Sequence, residues 1–184
     1  MFRKTIDREL STLKRFMDDL RSIVKPKPIE KFALDMNSSV SEIVESMKAE
    51  GERQGVAVAA HYAEGPLTVV GDRFALGRVY RNLITNGIQA TTAGGSVTIT
   101  TGREGGFVQV TVADTGSGIP AARLATIFEE FVTTKRRGLG LGLAICKRIV
   151  EQLDGSIEVE SEVGVGTTFT MRFPARQTLP AQAA

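Results

Sequence analysis

Two asparagines within one predicted helix are the residues of this sequence whose spacing most clearly suggests chemistry. Asn82 and Asn86 are four residues apart in an apolar helical pattern, so their side chains would lie one turn apart on one face. Asparagine is unfavourable inside a helix, so two of them on one face need a reason. Simple exposure to solvent is one explanation. A pair of amide oxygens facing a pocket, suited to Mg²⁺ and its waters, is the other.

A glycine-rich stretch predicts a second candidate site. In KRRGLGLGLAICKRIV, residues 135–150, Gly138, Gly140 and Gly142 alternate with leucines before a helical pattern begins. Glycine permits close approach to the backbone, and a helix start offers unpaired N–H groups at the positive end of its dipole. With Lys135 and the two arginines beside it, the stretch predicts an anion-binding site, most naturally for phosphates. Taken alone, it also fits a flexible loop that caps a helix.

Asp114 lies at the end of a predicted strand, directly before Thr115-Gly116-Ser117-Gly118. A carboxylate there can accept a hydrogen bond from a ligand, while the glycines let that ligand come close. An Asx-type turn that closes the strand accounts for the same residues equally well. The single histidine, His61, falls at another strand end, where we expect a half-exposed polar residue rather than a catalytic one.

Composition excludes several other functions. The 184 residues suffice for one domain plus an appendage, and 42% of them are apolar, enough for a sizeable core. The formal charge of +2, from 23 basic and 21 acidic residues, gives no electrostatic case for nucleic acid. The sequence contains no run of 18 apolar residues, so it predicts no membrane-spanning helix. One cysteine allows no internal disulfide, which suits a cytoplasmic, reducing compartment.

The first segment, residues 2–25, is predicted to be a helix separate from the rest. Its apolar residues follow heptad spacing and favour packing in a bundle or dimer over packing on its own domain; they are Ile6, Leu10, Leu13, Met17, Leu20 and Val24. Lys25-Pro26-Lys27-Pro28 then ends the helix and forms an extended linker. This divides the chain into residues 1–28, a globular domain at 29–175 and a flexible tail at 176–184.

Alternating strand and helix patterns fill the globular domain. We predict strands at 32–35, 56–60 and 67–70, a helix from a cap at Asn37 or Ser38 to about Arg53, a helix from Asp72 to about Thr91, hairpins at 96–101 with 107–112 and 156–160 with 166–173, a short helix at 120–131 and a helix at 143–153. Phe74 is expected on the apolar face of its helix. Phe128 and Phe131 are expected in the core, and Cys146 as a buried small side chain.

Five short motifs, in order, resemble those of the ATP-binding catalytic domain of bacterial sensor histidine kinases, within the GHKL ATPase superfamily. They are NLITN at 82–86, DTGSG at 114–118, FEEF at 128–131 with TTK at 133–135, GLGLG at 138–142 and GTTF at 166–169. Each motif is weak alone, but five in family order are specific. The sequence departs from the pattern at 86–90, where Asn-Gly-Ile-Gln-Ala replaces the more usual Ala and Lys after the asparagine.

The resemblance implies an α/β (α+β) fold: a two-layer sandwich whose mixed, mostly antiparallel sheet carries helices on one face, with ATP on the helix side. Asp114 would accept a hydrogen bond from the adenine amino group, and Gly118 would let the ring approach. Asn86 would coordinate Mg²⁺, with Asn82 nearby toward the phosphates. Residues 132–142 would form a mobile lid over the nucleotide.

The lid residues complete the implied site. Gly140 and Gly142 would present backbone N–H groups to the phosphates, and Lys135 would help to hold them. Asn82, Asn86 and Lys135 would be the catalytic residues, and Asn86 the metal ligand. The full set implied to bind ATP is Asn82, Asn86, Gln89, Asp114, Gly116, Gly118, Ile119, Phe131, Thr134, Lys135, Gly138, Leu139, Gly140, Leu141, Gly142, Leu143 and Thr168.

The implied activity is that of a protein-histidine kinase, which transfers the γ-phosphoryl group of ATP to a histidine on a dimerisation helix. Residues 2–25 resemble the second helix of that dimerisation hairpin, whereas His61 is in the wrong place to be the phosphate acceptor. We therefore expect ATP binding without self-phosphorylation. The implied partners are a histidine-bearing hairpin, a response regulator receiver domain, and a second copy through residues 2–25.

Three alternatives remain open at this point. ATP-hydrolysing relatives of the gyrase or chaperone type use a glutamate as base where this chain has Asn82, so rapid hydrolysis would favour them. An anti-sigma-type serine kinase shares the fold, although the heptad helix and the linker argue against it. A scaffold without catalysis would fail to bind Mg-ATP while keeping its fold.

Overall fold

A computed structural model describes residues 28–133 and 139–176, together with Met17. The rest of the predicted heptad helix, most of its linker and the tail beyond Arg176 lie outside the described residues. Thr134, Lys135 and Gly138 of the expected site lie outside them as well. Expectations for these residues stay predictions.

The described residues form seven strands and four helices. In chain order they are β1 (Phe32–Asp35), α1 (Met36–Gln54), β2 (Ala57–His61), β3 (Thr68–Gly71), α2 (Arg73–Ala90), β4 (Ser96–Glu104), β5 (Phe107–Asp114), α3 (Ala121–Leu124), α4 (Gly142–Gln152), β6 (Ser156–Glu162) and β7 (Gly166–Pro174). Both predicted hairpins are present. No helix in the described ranges is long and apolar enough to cross a membrane.

Five strands make one mixed sheet in the order β2-β4-β5-β7-β6. Only β2 and β4 run parallel, and the other three pairs are antiparallel. β1 and β3 form a separate antiparallel pair, which a bridge between Val69 and Ala175 joins to the end of β7. The expected mixed, mostly antiparallel sheet is thus confirmed, although the consecutive strands β2 and β3 belong to different sheets.

The core lies between one face of this sheet and the helices. Along the central strands, alternate residues are buried and most of them are apolar, as a half-buried sheet requires; the apolar set includes Val97, Ile99, Val108, Val110, Val112, Phe169, Met171 and Phe173. Helix α2 packs over the middle of the sheet with buried residues that include Leu76, Val79, Leu83, Ile84 and Ile88. The two-layer arrangement is confirmed.

Two aspartates start the long helices. The Asp72 carboxylate accepts hydrogen bonds from the Phe74 and Ala75 N–H groups and so caps α2. Asp35 caps α1 through the Ser38 N–H at 2.9 Å, so the prediction that Asn37 or Ser38 is the cap was wrong. Phe74 also differs from expectation. It lies in the first turn of α2, beyond the edge of the core, and is 88% exposed.

The helix expected at 120–131 is much shorter. It is regular only over Ala121–Leu124, and successive turns then follow in which Thr126 N–H donates to Arg123 and Glu129 N–H to Thr126. This three-residue spacing does not continue an α-helix. As a result Phe128 packs edge-on against Phe169, with ring centroids 6.2 Å apart, whereas Phe131 is 62% exposed. Core packing is confirmed for Phe128 and wrong for Phe131.

Candidate functional site

Helix α2 carries both asparagines on one face, half-buried, and Gln89 follows in its last turn, exposed. The Asn82 amide lies against helix α4, where its Nδ2 is 3.4 Å from the sulfur of the buried Cys146. Asn86 lies one turn further toward the end of α2. The structure therefore confirms that the two side chains share a face, and it places the first of them at the start of another helix.

The first residue of α4 lies in close contact with the Asn82 side chain. A Cβ atom on Gly142, the first residue of α4, would lie 2.6 Å from Asn82 Nδ2, so glycine is what lets the amide lie there. Leu141 precedes the helix with its apolar side chain buried, so it supplies no capping oxygen. Leu139 and Leu143 pack half-buried against the core. The N–H groups of this first turn can therefore serve a bound anion.

Gly140 packs closely against the backbone of Phe131 and Val132. Its backbone is left-handed, with φ +69°, and a Cβ atom there would lie 2.5 Å from the carbonyl carbon of Phe131. Phe131 is itself left-handed, with φ +66°, which is uncommon for a bulky residue. The backbone at Phe131–Val132 and the backbone at Gly140 thus pack directly on each other.

Asp114 lies beneath the other end of α2. A Cβ atom on Gly87 would lie 3.2 Å from the Asp114 Cβ and 3.0 Å from a methyl of Val97, so this glycine lets the helix settle on the sheet. Close packing therefore explains Gly87, one residue of the run at 86–90 that departs from the family pattern. Asp114 Oδ1 accepts the Gly116 N–H at 2.8 Å, which is the Asx-type turn. The Thr167 N–H also acts on this carboxylate and lowers its pKa.

Burial raises the pKa of the Asp114 carboxyl above its usual value, and the hydrogen bonds from Gly116 and Thr167 offset this only in part. A hydrogen-bond donor on a ligand would favour the ionised carboxylate. Ligand affinity should therefore be full above the raised pKa and fall about tenfold per pH unit below it. Titrations of nucleotide affinity between pH 4 and 8 measure this. An Asp114→Asn variant should show a flat profile, and an equally steep fall in that variant would assign the effect to another group.

The loop after Asp114 is held between α2 and the β6–β7 hairpin. Ser117 N–H donates to the Ala90 carbonyl at 3.0 Å, and Gly164 N–H donates to the Ser117 carbonyl at 2.9 Å. A Cβ atom on Gly118, whose φ is +68°, would overlap the Glu162 carbonyl. The space beside the Gly118 α-carbon is thus filled by the hairpin, so its contacts explain this glycine without an approaching ring.

Thr168, which was expected in the site, lies on the opposite face of the sheet from Asp114. It pairs with Ala113, while Asp114 pairs with Thr167, and directly opposed residues point to the same face. Thr167 is therefore the threonine beside Asp114, and it is 5% exposed. Strand alternation in the sequence could have shown that Thr167 faces the core, because it lies two, four and six residues before the apolar residues Phe169, Met171 and Phe173.

Asp114 also borders an open groove of about 350 Å³ along the β6–β7 hairpin, with Glu160, Ser161, Glu162, Val165, Gly166, Thr167 and Thr168. Neither Asn82 nor Asn86 lines this groove. We therefore define the candidate site by the contacts of α2 with Asp114 at one end and with the start of α4 at the other.

Comparison with known proteins places this arrangement in a family. Residues 71–177 match the histidine kinase-, DNA gyrase B- and HSP90-like ATPases. The chain belongs to this ATPase family. The match covers both asparagines, Asp114 and the start of α4, which are the elements that the geometry brings together.

Sensor histidine kinases are among the relatives of this chain. It is 33% identical over 93% of its length to sensor histidine kinase ZraS of Escherichia coli K12, and 35% identical over 92% to sporulation kinase D of Bacillus subtilis. It spans only 37% and 34% of the lengths of those proteins.

Two solved structures are similar over most of this chain. The nucleotide-free catalytic domain of histidine kinase ThkA superposes with a TM-score of 0.73 and 29% identity, covering 79% of this chain and 96% of that domain. Full-length ShkA in complex with AMPPNP superposes with a TM-score of 0.81 and 30% identity, covering 99% of this chain and 39% of that protein. The fold is that of histidine kinase catalytic domains.

Proposed function

We propose that this chain binds ATP with Mg²⁺ and serves as the catalytic part of a sensor histidine kinase. The observation that carries the proposal is the position of α2. Its Gly87 packs on Asp114, and its Asn82 packs on the first turn of α4. These contacts are five residues apart, about 7.5 Å along the helix. The Asp114 carboxylate, which suits an adenine ring, and the start of α4, which suits phosphates, thus lie at opposite ends of the helix segment that carries Asn82 and Asn86.

The relatives support the same ligand and partner. ShkA was crystallised with AMPPNP, an ATP analogue, and ThkA was crystallised in complex with the response regulator TrrA. We extend both to this chain: ATP as the phosphoryl donor, and a response regulator receiver domain as the later acceptor. A histidine-bearing dimerisation hairpin would receive the phosphoryl group first.

The residues present fit a magnesium ion shared with phosphates. The described residues hold no cluster of three or more His, Cys, Asp or Glu that would bind a metal alone. Amide oxygens are ligands that Mg²⁺ accepts, and it commonly takes its remaining ligands from water and phosphate. Asn86 would hold the ion, which when bound neutralises phosphate charge. Asn82 would orient the phosphates, and the α4 dipole would stabilise their charge.

Replacing Asn86 by Ala should lower the Mg-dependent affinity for ATP at least tenfold while the fold is kept. Alanine is the better helix former, so the melting temperature should not fall through loss of helix propensity. Calorimetric titration with ATP in Mg²⁺ measures the loss. The same titration in EDTA is the control, because wild type and variant should then bind alike. Equal Mg-ATP affinity in both proteins would contradict the metal role of Asn86.

Phosphoryl transfer should occur when a dimerisation hairpin bearing a histidine is supplied in trans. Asn82 stands where a hydrolytic relative would need a carboxylate base, and an amide cannot take a proton from water. We therefore expect acid-labile phosphate on the hairpin and slow release of inorganic phosphate. A hairpin with Ala in place of its histidine is the control. Rapid hydrolysis without transfer would reject the kinase function while leaving ATP binding intact.

A further inference from the structure

Ser161 on β6 belongs to a row of polar residues that crosses three strands at the base of the site. It pairs with Thr167 on β7, which in turn pairs with Asp114 on β5. Opposed residues point to one face, with Cβ atoms about 5 Å apart. Ser161 therefore stands two strands away from the Asp114 carboxylate, on the same face and next to Thr167.

The Ser161 hydroxyl uses all of its hydrogen-bonding capacity. Its Oγ donates to the Gly166 carbonyl at 2.8 Å, because a carbonyl can only accept. It accepts from the Ile119 N–H at 2.8 Å, because an N–H can only donate. It also lies 2.9 Å from Thr167 Oγ1. A hydroxyl has one proton and two lone pairs, so its proton is already committed to Gly166.

It follows that Thr167 donates its hydroxyl proton to Ser161. The Thr167 oxygen then has only lone pairs to offer on the Asp114 side, and Asp114, when ionised, is also an acceptor only. Adenine presents an amino donor at the position where guanine presents a carbonyl oxygen. Two neighbouring acceptors therefore favour the adenine edge and disfavour the guanine edge.

The second bond of Ser161 acts on the loop after Asp114. Ile119 is the first residue beyond Gly118 in that loop, and its N–H is held by the Ser161 oxygen. The loop is otherwise tied to the hairpin through the Ser117 carbonyl and the Gly164 N–H. Ser161 thus fixes both the polarity of Thr167 and the position of the loop that follows the base-binding carboxylate.

We propose that Ser161 is a positioning residue that sets the preference of this site for adenine over guanine, acting through Thr167 and Ile119. This proposal rests on the ATP binding proposed above. Ser161 does not itself contact the nucleotide, so its removal should alter selectivity more than it alters affinity for the triphosphate.

The test is calorimetric titration of the chain with ATP and with GTP, both in Mg²⁺. Ser161→Ala should lower the preference for ATP over GTP about tenfold, the effect of one misdirected hydrogen bond. Ser156→Ala is the matched control, since Ser156 lies on the same strand, exposed and on the opposite face, and should keep the wild-type ratio. Ser161→Thr, which keeps the hydroxyl, should retain most of the preference.

Thr167→Val provides an independent measurement, which also decides the matter if Ser161→Ala does not fold. It should lower the preference by itself. Adding Ser161→Ala to it should change the ratio less than Ser161→Ala does in the wild-type chain, because only the contribution through Ile119 then remains. Equal weakening of ATP and GTP in Ser161→Ala, or an unchanged ratio in Thr167→Val, would overturn the proposal. A wild-type chain that binds both nucleotides equally would also overturn it while leaving the proposed function standing. Failure to bind either nucleotide would reject the proposed function itself.

Discussion

An Asp114→Asn variant should lose about a hundredfold in its preference for ATP over GTP. Asp114 Oδ1 accepts the Gly116 N–H, so an asparagine there would turn its oxygen toward the loop. Its NH₂ group would then face the nucleotide base. Two donors would oppose each other with adenine, whereas guanine could accept a hydrogen bond through its carbonyl oxygen. Loss of a hydrogen bond to a charged group, plus an unpaired donor, accounts for the size of the effect.

The same variant should be at least as stable as the wild type near neutral pH. Burial raises the pKa of Asp114 in the folded chain, so the ionised carboxylate opposes folding above its unfolded pKa. Asparagine removes that charge, and the gain should vanish as the pH falls through the unfolded pKa. Melting curves at pH 4 and pH 7 measure this.

Asp154→Asn removes the same formal charge at an exposed position and serves as the control for Asp114→Asn. It should leave the nucleotide preference unchanged. If Asp114→Asn weakened ATP, GTP and other triphosphates equally, a role in base recognition would be contradicted.

A Gly118→Ala variant should be destabilised by about 2–4 kcal/mol. A left-handed backbone costs an alanine about 1 kcal/mol, and overpacking adds about 1–3 kcal/mol. The overlap would be with the Glu162 carbonyl, which is backbone and cannot rotate away as a side chain would. Urea denaturation, with the free energy of unfolding extrapolated to water, measures the change.

Gly65→Ala is the matched control for Gly118→Ala. Gly65 has a similar φ of +76°, but a Cβ atom there would meet nothing within 4 Å. It should therefore lose only the conformational part, about 1 kcal/mol. If the two variants lost equal stability, the packing of the glycine loop on the β6–β7 hairpin would be refuted.

Local patterns in the sequence predicted most of the strands and helices, both hairpins and the position of Asn82 and Asn86 on one helix face, whereas the two layers were implied by the family resemblance. Periodicity of 2 and 3.6 residues carries that information, because it decides which side chains face the core. Phe74 and Phe131 were misplaced, because an apolar residue at the end of an element keeps its periodicity after the core itself has ended. Phe131 is also removed from the core by a left-handed turn that no spacing indicates.

The glycines show what the sequence could not supply. Gly87, Gly118 and Gly142 each accommodate an atom from a residue distant in the chain: Asp114 Cβ, the Glu162 carbonyl and the Asn82 amide. Such contacts depend on tertiary packing, so a motif can indicate that a glycine is required without indicating why. Thr167, by contrast, could have been chosen over Thr168 from strand parity alone.

A crystal structure of this chain with AMPPNP and Mg²⁺ tests the central claim most directly. The account predicts an adenine amino group against the Asp114 carboxylate, and phosphates at the first turn of α4 with the ion beside Asn86. A nucleotide that lies along the β6–β7 hairpin without reaching Asn86 or the first turn of α4, or one bound with its phosphates against Asp114, would contradict it.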